Sequence, residues 1–315
     1  MTAVRDVTLG IRRGSVTGVV GESGCGKSAA ARSILQIVDR PGRIVDGRIL
    51  YRPRRREKGG QEIEILALGQ NSPEMRSIRG GSISMIFQEP MSAFSPVHTF
   101  GNQIVEAIRL HARMRPSEAY DVAIDWLKRV SMPNPEQRMA AYPYQLSGGQ
   151  RQRAMIAMAL STNPEMLIAD EPTTALDVTT QAQTLELLSH LQRENGMAIM
   201  FITHDLGVIA EIADEVAVMY LGRVVERGPV EKIFQSPKHP YTKALLASVP
   251  TIFAKSRERL PSITGAVPHP YNRPKGCSFH PRCSSFMAGK CETKVPRLVA
   301  VDDLQEAACF LYPGA

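Results

Sequence analysis

The chain of 315 residues lacks any apolar run long enough to cross a membrane. A transmembrane helix needs about 20 predominantly apolar residues, and no segment of the sequence approaches that length. Residues 1–6 also lack the apolar core of a secretory signal peptide. We therefore expect a cytosolic protein, or one that reaches a membrane only through a partner.

Acidic residues are in deficit: 31 aspartates and glutamates stand against 38 lysines and arginines, which leaves a net charge of +7. The densest basic run, residues 52–58, contains a proline and ends at two glycines, which favours a loop. It has no interleaved aromatic residues of the kind that stack on bases. We interpret the run as a solvated hairpin tip; a nucleic-acid patch and a contact with anionic lipid are the alternatives.

A run of eight residues fits the phosphate-loop pattern G-x-x-x-x-G-K-[ST] without a mismatch. Its members are Gly21, Glu22, Ser23, Gly24, Cys25, Gly26, Lys27 and Ser28. Glycine lets backbone N–H groups surround a polyphosphate, Lys27 supplies a charge for the β- and γ-phosphates, and Ser28 can hold Mg²⁺. An apolar strand is predicted over residues 16–20 and a helix over residues 28–38. This context predicts a nucleotide site rather than an ordinary glycine-rich turn.

Apolar strands alternate with amphipathic helices in the second half of the chain. Strands are predicted over residues 166–169 and 198–203, a helix over residues 179–194, and a hairpin over residues 216–220 and 223–226. Residues 92–150 instead follow a helical period that prolines interrupt. The pattern predicts an α/β fold with a parallel sheet covered on both faces. Prolines become frequent from about residue 237, so we expect an irregular tail.

Polar side chains follow three of the apolar strands. Asp170 and Glu171 follow one strand, and Gln88 and His204 follow two others. Nucleotides bind at the carboxyl ends of such strands. Asp170 suits a Mg²⁺ partner and Glu171 suits a general base that polarises water. His204 can bond a γ-phosphate oxygen, and Gln88 can contact both the metal shell and the water.

A second candidate anion site lies at residues 146–150, Leu-Ser-Gly-Gly-Gln, before a helix predicted over residues 151–161. Ser147 and Gly149 stand where free N–H groups and the helix dipole favour an anion. One phosphate loop holds one triphosphate, so the second site must serve another nucleotide. We therefore predict a head-to-tail dimer in which each chain covers the ATP of its partner.

The order of these motifs resembles the nucleotide-binding subunit of ABC transporters. The motifs are the phosphate loop, Gln88, Leu-Ser-Gly-Gly-Gln, Asp170 with Glu171, Asp177 and His204. The resemblance implies a P-loop NTPase fold of ABC type that hydrolyses Mg-ATP, with Glu171 as the base and His204 as the γ-phosphate contact. It implies that Gln88 senses the γ-phosphate and couples to the membrane subunit. It also implies that Ser147 and Gly149 contact the opposing protomer's ATP and that Asp177 lies at the dimer interface.

No aromatic residue precedes the phosphate loop. Members of the family usually begin with a further strand and an aromatic residue that stacks on adenine. Either the start is assigned too late or the chain lacks this platform. Base stacking is worth about 1–3 kcal/mol, so its loss weakens nucleotide binding about tenfold or more. The missing strand also leaves a sheet edge unpaired.

The tail resembles that of oligopeptide and dipeptide importer ATPases, on residues 236–250 and 276–283, and residues 87–91 agree with that subgroup. This implies a peripheral ATPase on the cytoplasmic side of a bacterial inner membrane, with no nucleic-acid partner. Its partners are two permease subunits, a homologous ATPase or a second copy of the chain, and a periplasmic solute-binding protein. Importers of nickel, glutathione or other small solutes are the alternatives within the subgroup.

Four of the five cysteines lie in the tail, at Cys277, Cys283, Cys291 and Cys309. Four thiolates in a reducing compartment suit a zinc ion or an iron–sulfur cluster, and disulfides are disfavoured there. In this importer subgroup the arrangement resembles a [4Fe–4S] site of structural role. Zinc and unliganded buried thiols are the alternatives, and Cys25 is not expected to be a ligand.

We expect three parts in the chain. Residues 1–91 and 151–235 form the ATPase core, with a RecA-like part and an antiparallel β part. Residues 92–150 form a helical subdomain that ends in the signature motif, Leu-Ser-Gly-Gly-Gln at residues 146–150, and residues 236–315 form the tail. A soluble ABC-type ATPase acting on DNA or ribosomes is the main rival. The sequence lacks the long coiled coil or the second cassette that such proteins usually carry. A metal-cluster module with a vestigial ATPase is a third alternative, which the intact Lys27, Glu171 and His204 disfavour.

Overall fold

The computed structural model describes residues 2–54, 62–89, 93–174, 176–249 and 263–315. The chain forms two compact units, Met1–Ala30 with Phe201–Ala315, and Ala31–Met200. Most of the predicted basic hairpin tip lies outside the described residues. The short strands β2 (Leu50–Tyr51) and β3 (Ile63–Glu64) pair antiparallel on either side of it.

The first unit contains a mixed sheet. Strand β1 (Val16–Val20) runs parallel to β7 (Glu215–Tyr220), and β7 forms an antiparallel hairpin with β8 (Arg223–Pro229). Two short strands from the tail, β9 (Val299–Ala300) and β10 (Glu306–Ala307), continue this order as β8-β10-β9, antiparallel throughout. The predicted hairpin is confirmed, and the tail contributes strands that the fading periodicity did not indicate.

Small residues let a helix lie close to β1. Every residue of β1 is buried, and a Cβ added at Gly18 would stand 2.8 Å from Ile209 Cδ1. Ile209 belongs to α8 (Leu206–Ile212), which Asp205 caps by accepting hydrogen bonds from the N–H groups of Gly207 and Val208. The helix can therefore approach this strand only because Gly18 has no side chain.

Several helices follow these strands along the chain. Helix α1 (Lys27–Ile34) ends earlier than predicted, since Gln36 takes a left-handed φ of 51°. The other helices of the first unit are α9 (Val230–Gln235), α10 (Pro240–Ala247) and a 3₁₀ turn at His280–Arg282.

The second unit pairs β4 (Ile83–Ile86) parallel with β5 (Met166–Asp170). Its helices are α2 (Pro73–Ile78), α3 (Phe100–His111), α4 (Pro116–Arg129), α5 (Pro135–Met139), α6 (Gly148–Leu160) and α7 (Val178–Asn195), with 3₁₀ turns at Ile65–Ala67 and Pro143–Gln145. The helical period predicted for residues 92–150 is confirmed. Strand β6 (Ala198–Thr203) has the predicted bounds.

Candidate functional site

The phosphate loop connects β1 to α1, and all three of its glycines adopt positive φ. Gly21 has φ 154° and Gly26 has φ 101°, and a Cβ would stand 2.2 Å from Met219 O at Gly21 and 2.7 Å from Ala3 O at Gly26. Gly24 has φ 77° with open space around it. Glycine is therefore required at Gly21 and Gly26 by neighbouring backbone, and at Gly24 by conformation alone.

Lys27 closes over the loop. Its ammonium group donates to the carbonyl oxygens of Gly21 at 2.8 Å and Glu22 at 3.3 Å, and only 5% of the residue is exposed. Ser28 lies in the first turn of α1, where backbone N–H groups and the helix dipole favour an anion. The buried thiol of Cys25 stands 3.8 Å from the Lys27 ammonium, and burial raises its pKa.

His204 directly follows β6 and is exposed. The neighbouring Asp205 receives a hydrogen bond on its carboxylate from the backbone of α8, and its own N–H donates to the Thr203 hydroxyl at 3.0 Å. The strand end and the capped helix thus fix the backbone on both sides of His204.

In the second unit, Gln88 and Glu171 meet at the ends of two parallel strands. Ile86 of β4 is in register with Ala169 of β5, so both chains leave the sheet at the same edge. The Gln88 Nε2 donates to Glu171 Oε2 at 3.0 Å. The Thr174 hydroxyl donates to the same oxygen at 2.9 Å. Sequence reasoning missed Thr174, whose position three residues after Glu171 was the available signal.

The two adjacent carboxylates are nearly buried. Asp170 is 1% exposed and Glu171 is 9% exposed. Glu171 has a φ of 49°, a region that non-glycine residues rarely occupy and that is concentrated at functional sites. The backbone therefore turns sharply between them. The Glu171 side chain contacts Gln88, whereas Asp170 is the last residue of β5.

The signature motif lies at an exposed helix start. Ser147 caps α6 by accepting a hydrogen bond from Gln150 N–H at 3.3 Å, and Gln150 Oε1 accepts one from Ser147 N–H at 3.1 Å. Ser147 is exposed and Gly149 is half-buried. The first turn of α6 thus faces away from the core of its own unit.

Asp177 caps α7. Its carboxylate accepts from Thr180 N–H at 3.0 Å and from the Thr180 hydroxyl at 2.6 Å, and these hydrogen bonds lower its pKa. A Cβ added at Gly149 would stand 3.2 Å from Thr180 Cγ2. The beginnings of α6 and α7 therefore lie side by side, with Thr180 in contact with both.

The four tail cysteines are free thiols. Burial, and secondarily the charges of the other three thiols, raise the pKa of Cys277 to about 11. Within the described part of the chain, however, no three His, Cys, Asp or Glu side chains are arranged to hold a metal ion. The donor chemistry fits a thiolate-bound metal, but the geometry does not support the predicted cluster.

Among the helices of the described residues, none is long and apolar enough to cross a membrane.

Comparison with protein families identifies the class of protein. The profile described as ABC transporter matches residues 4–174, and the profile described as oligopeptide/dipeptide transporter, C-terminal region, matches residues 225–291. The chain belongs to the ABC transporter family and is an ATP-hydrolysing cassette of P-loop fold.

Curated relatives match nearly the whole chain. The dipeptide transport ATP-binding protein DppD of Escherichia coli is 44% identical over 99% of this chain and 91% of its own length. DppD of Haemophilus influenzae is 44% identical over 94% of this chain and 86% of its own length. A Brucella abortus protein whose name refers to peptide import is 47% identical over 99% of this chain and 92% of its own.

Solved structures agree with the family. The dimeric structure of a bacterial ABC transporter cassette is 29% identical, with a TM-score of 0.61 over 72% of this chain and 90% of that one. A post-hydrolysis structure of the same cassette, bound to ADP and phosphate, is 28% identical, with a TM-score of 0.61 and the same coverage.

Proposed function

We propose that the chain is the ATP-binding subunit of a bacterial importer that takes up peptides. The observation that carries the proposal is the tail: residues 225–291 match the C-terminal region of oligopeptide/dipeptide transporters, and two of the similar relatives are named for dipeptide transport. Nickel, glutathione and other small solutes are the alternatives that the experiment below distinguishes.

The phosphate loop binds the nucleotide in this proposal. Backbone N–H groups of residues 21–28 surround the phosphates, and Lys27 neutralises the β- and γ-phosphates. Ser28 and Asp170 supply the hydroxyl and carboxylate oxygens that Mg²⁺ prefers, and Gln88 contributes to the metal shell. When bound, Mg²⁺ neutralises the charge that develops on the phosphates.

Glu171 acts as the general base. Its carboxylate accepts a proton from the attacking water, while hydrogen bonds from Gln88 and Thr174 fix the orientation of Oε2. His204 donates a hydrogen bond to a γ-phosphate oxygen, which stabilises the charge on the transferred group. This role of Glu171 is supported by the two hydrogen bonds that orient its carboxylate and by its position next to the buried Asp170.

The functional form is a dimer of cassettes. Ser147 and Gly149 bind the ATP held by the facing subunit, and Asp177 lies at that interface. The exposed start of α6 supports this arrangement, because a helix N-terminus that faces solvent can receive an anion from another molecule. The facing subunit is a homologous ATPase or a second copy of this chain.

The assembly also contains two permease subunits and a periplasmic solute-binding protein, and no nucleic acid. The chain then lies on the cytoplasmic side of the inner membrane, bound to the permeases. We further propose the division into an ATPase core of residues 1–91 and 151–235, a helical subdomain of residues 92–150 and a tail of residues 236–315.

The test is uptake by the reconstituted importer. The chain, its partner ATPase, the permeases and the binding protein are placed in proteoliposomes, and labelled dipeptide, nickel and glutathione are offered separately. ATP-dependent uptake of dipeptide that is lost in Glu171→Gln supports the proposal. Uptake of only nickel or glutathione assigns the alternative solute, and ATP turnover that no permease stimulates contradicts the importer assignment.

A separate proposal concerns the four tail cysteines, which we propose bind a [4Fe–4S] cluster that holds the tail together. Their donor chemistry supports it, because four cysteine thiolates are the usual ligands of such a cluster. Protein purified without oxygen should contain about four iron atoms per chain, from the composition of such a cluster, and should absorb in the visible range. Stoichiometric zinc or metal-free protein would overturn this proposal.

A further inference from the structure

Glu22 places a carboxylate inside the phosphate loop. It is the only acidic residue between Gly21 and Ser28, and its side chain is 23% exposed. A polyphosphate bound to the loop brings several negative charges close to this group. Like charges at short range repel, and the repulsion is strongest where water is partly excluded. An uncompensated Glu22 would therefore oppose nucleotide binding.

Arg282 of the tail compensates this charge. Its NH1 and NH2 groups donate to the two carboxylate oxygens of Glu22 at 2.7 and 3.0 Å. This is a bidentate ion pair between residues 260 positions apart. The Arg282 side chain is only 4% exposed. Charge-assisted paired hydrogen bonds of this kind fix geometry as well as charge, and a lysine cannot reproduce them.

The guanidinium group is itself held in place. NH1 also donates to the Tyr220 hydroxyl at 3.3 Å, and Nε donates to the Thr264 carbonyl at 3.3 Å. Burial of the group and four contacts leave Arg282 little freedom to leave Glu22. The position of the carboxylate is thus set by the tail rather than by the loop alone.

The backbone of Glu22 is bound to the tail as well. Its N–H donates to the Tyr241 hydroxyl at 2.9 Å. Tyr241 lies in α10, is fully buried, and packs against Tyr220 and Phe279 at ring-centroid distances of 4.7 and 5.3 Å. The backbone N–H and the carboxylate of this loop residue are therefore both partnered by residues C-terminal to β8.

We propose that Arg282 is a positioning residue for ATP binding, which neutralises and orients Glu22 so that the phosphate loop accepts a polyphosphate. Arg282 directly precedes Cys283, so the conformation of the cysteine-bearing segment decides where the guanidinium lies. The inference rests on ATP binding at the phosphate loop and is independent of the transported solute.

The test compares single and double charge variants in the full chain assembled with its partner ATPase. Arg282→Met should raise the KM for ATP about tenfold with kcat changed less than about threefold, because the loss acts on binding. Glu22→Gln should lower the KM for ATP, since the amide oxygen still accepts from Arg282 but the carboxylate charge that repels phosphate is gone. Arg282→Met with Glu22→Gln should recover KM to within about threefold of the wild type.

Arg227→Met is the matched control. Arg227 of β8 forms an ion pair with Glu306 of β10, which also ties the tail to the sheet but does not touch the phosphate loop. This variant should leave KM unchanged. Arg282→Lys keeps the charge and most of the packing, so it serves as the test if Arg282→Met does not fold. It should raise the KM for ATP about threefold, because the bidentate contact with Glu22 is lost.

Three results overturn the proposal. The first is a double variant no better than Arg282→Met, which would mean that Arg282 serves only the tail fold. The second is a KM raised equally by Arg227→Met, and the third is an unchanged KM in both Arg282 variants. A wild-type assembly that fails to bind a fluorescent ATP analogue would instead overturn the ATPase function itself, so the two failures are distinguishable.

Discussion

The side chain of Gln88 donates a hydrogen bond from Nε2 to Oε2 of Glu171 at 3.0 Å. The two residues are 83 positions apart and meet because β4 and β5 run parallel and end at one edge. The Thr174 hydroxyl adds a second donor to the same oxygen. The proposed base is thus oriented from two directions.

The first prediction concerns Glu171→Gln. The amide cannot accept the proton of the attacking water, so ATP turnover should fall by about 10²–10⁴-fold. ATP binding should persist, since the phosphate loop is unaffected, and the variant should accumulate as an ATP-bound dimer. Turnover in the assembled transporter and sedimentation with ATP measure the two effects.

Glu211→Gln is the control, because Glu211 is an exposed residue of α8. Its turnover should equal that of the wild type. Unchanged turnover in Glu171→Gln would remove this residue from the chemistry.

The second prediction concerns Thr174→Val, which keeps the shape of the side chain and removes one donor. The remaining donor, Gln88 Nε2, fixes the orientation of Glu171 Oε2 less well by itself, so the carboxylate is less often aligned to accept the proton. The kcat for ATP turnover at neutral pH should fall about three- to thirtyfold, with KM unchanged.

Thr184→Val is the comparison variant. The Thr184 hydroxyl is buried and donates to the Thr180 carbonyl, so this change lowers stability but does not touch Glu171. A fall in kcat of the same size in both variants would contradict the assigned role of Thr174.

The sequence predicted the local features of the site well. The phosphate loop, the strand bounds of β1 and β6, and the polar residues at strand ends follow from glycine spacing and apolar runs, which are local signals. The parallel ends of β4 and β5 allowed Gln88 and Glu171 to be placed near each other.

Features that depend on distant contacts were not predictable. Glu22 is bound by Tyr241 and Arg282, which lie 219 and 260 positions further along the chain. No periodicity in the sequence indicates such pairs. The short strand β10 forms because β8 offers it an edge, and β9 pairs in turn with β10, whereas the sequences of both carry little strand signal. The four tail cysteines likewise indicated thiolate ligands, but their spacing did not predict how the side chains are arranged in the described residues.

The third prediction separates two glycines of the phosphate loop. Gly21→Ala places a Cβ 2.2 Å from Met219 O, which is backbone of β7 and cannot move without disturbing the sheet. We expect a loss of about 3 kcal/mol in the free energy of unfolding. Gly24→Ala meets open space and bears only the strain of φ 77°, so its loss should be about 1 kcal/mol.

Urea denaturation measures both values. Gly10→Ala is the control, because Gly10 has nothing within 4 Å and no positive φ, and its free energy of unfolding should stay close to that of the wild type. Equal losses of free energy of unfolding in Gly21→Ala and Gly24→Ala would mean that the contact with β7 does not add to the cost of a side chain at Gly21.

The fourth prediction concerns the pH dependence of stability at His239. The ring is 2% exposed, Nδ1 accepts from Tyr241 N–H at 3.0 Å, and burial lowers its pKa to about 3. The unfolded state, with a pKa near 6.5, binds the proton more readily. The stability contribution is therefore complete above pH 6.5 and is lost as pH falls toward 3, by about 2 kcal/mol at pH 5.

His239→Asn isolates this effect, because asparagine can also accept at a helix start but does not titrate. The loss of free energy of unfolding between pH 7.5 and pH 5 should be about 2 kcal/mol smaller in the variant than in the wild type. The buried Glu226, whose pKa burial raises, titrates with the opposite sign but is present in both proteins. Identical slopes for wild type and His239→Asn would show that the ring is protonated without loss of the fold, and that α10 tolerates a charge beside Tyr241.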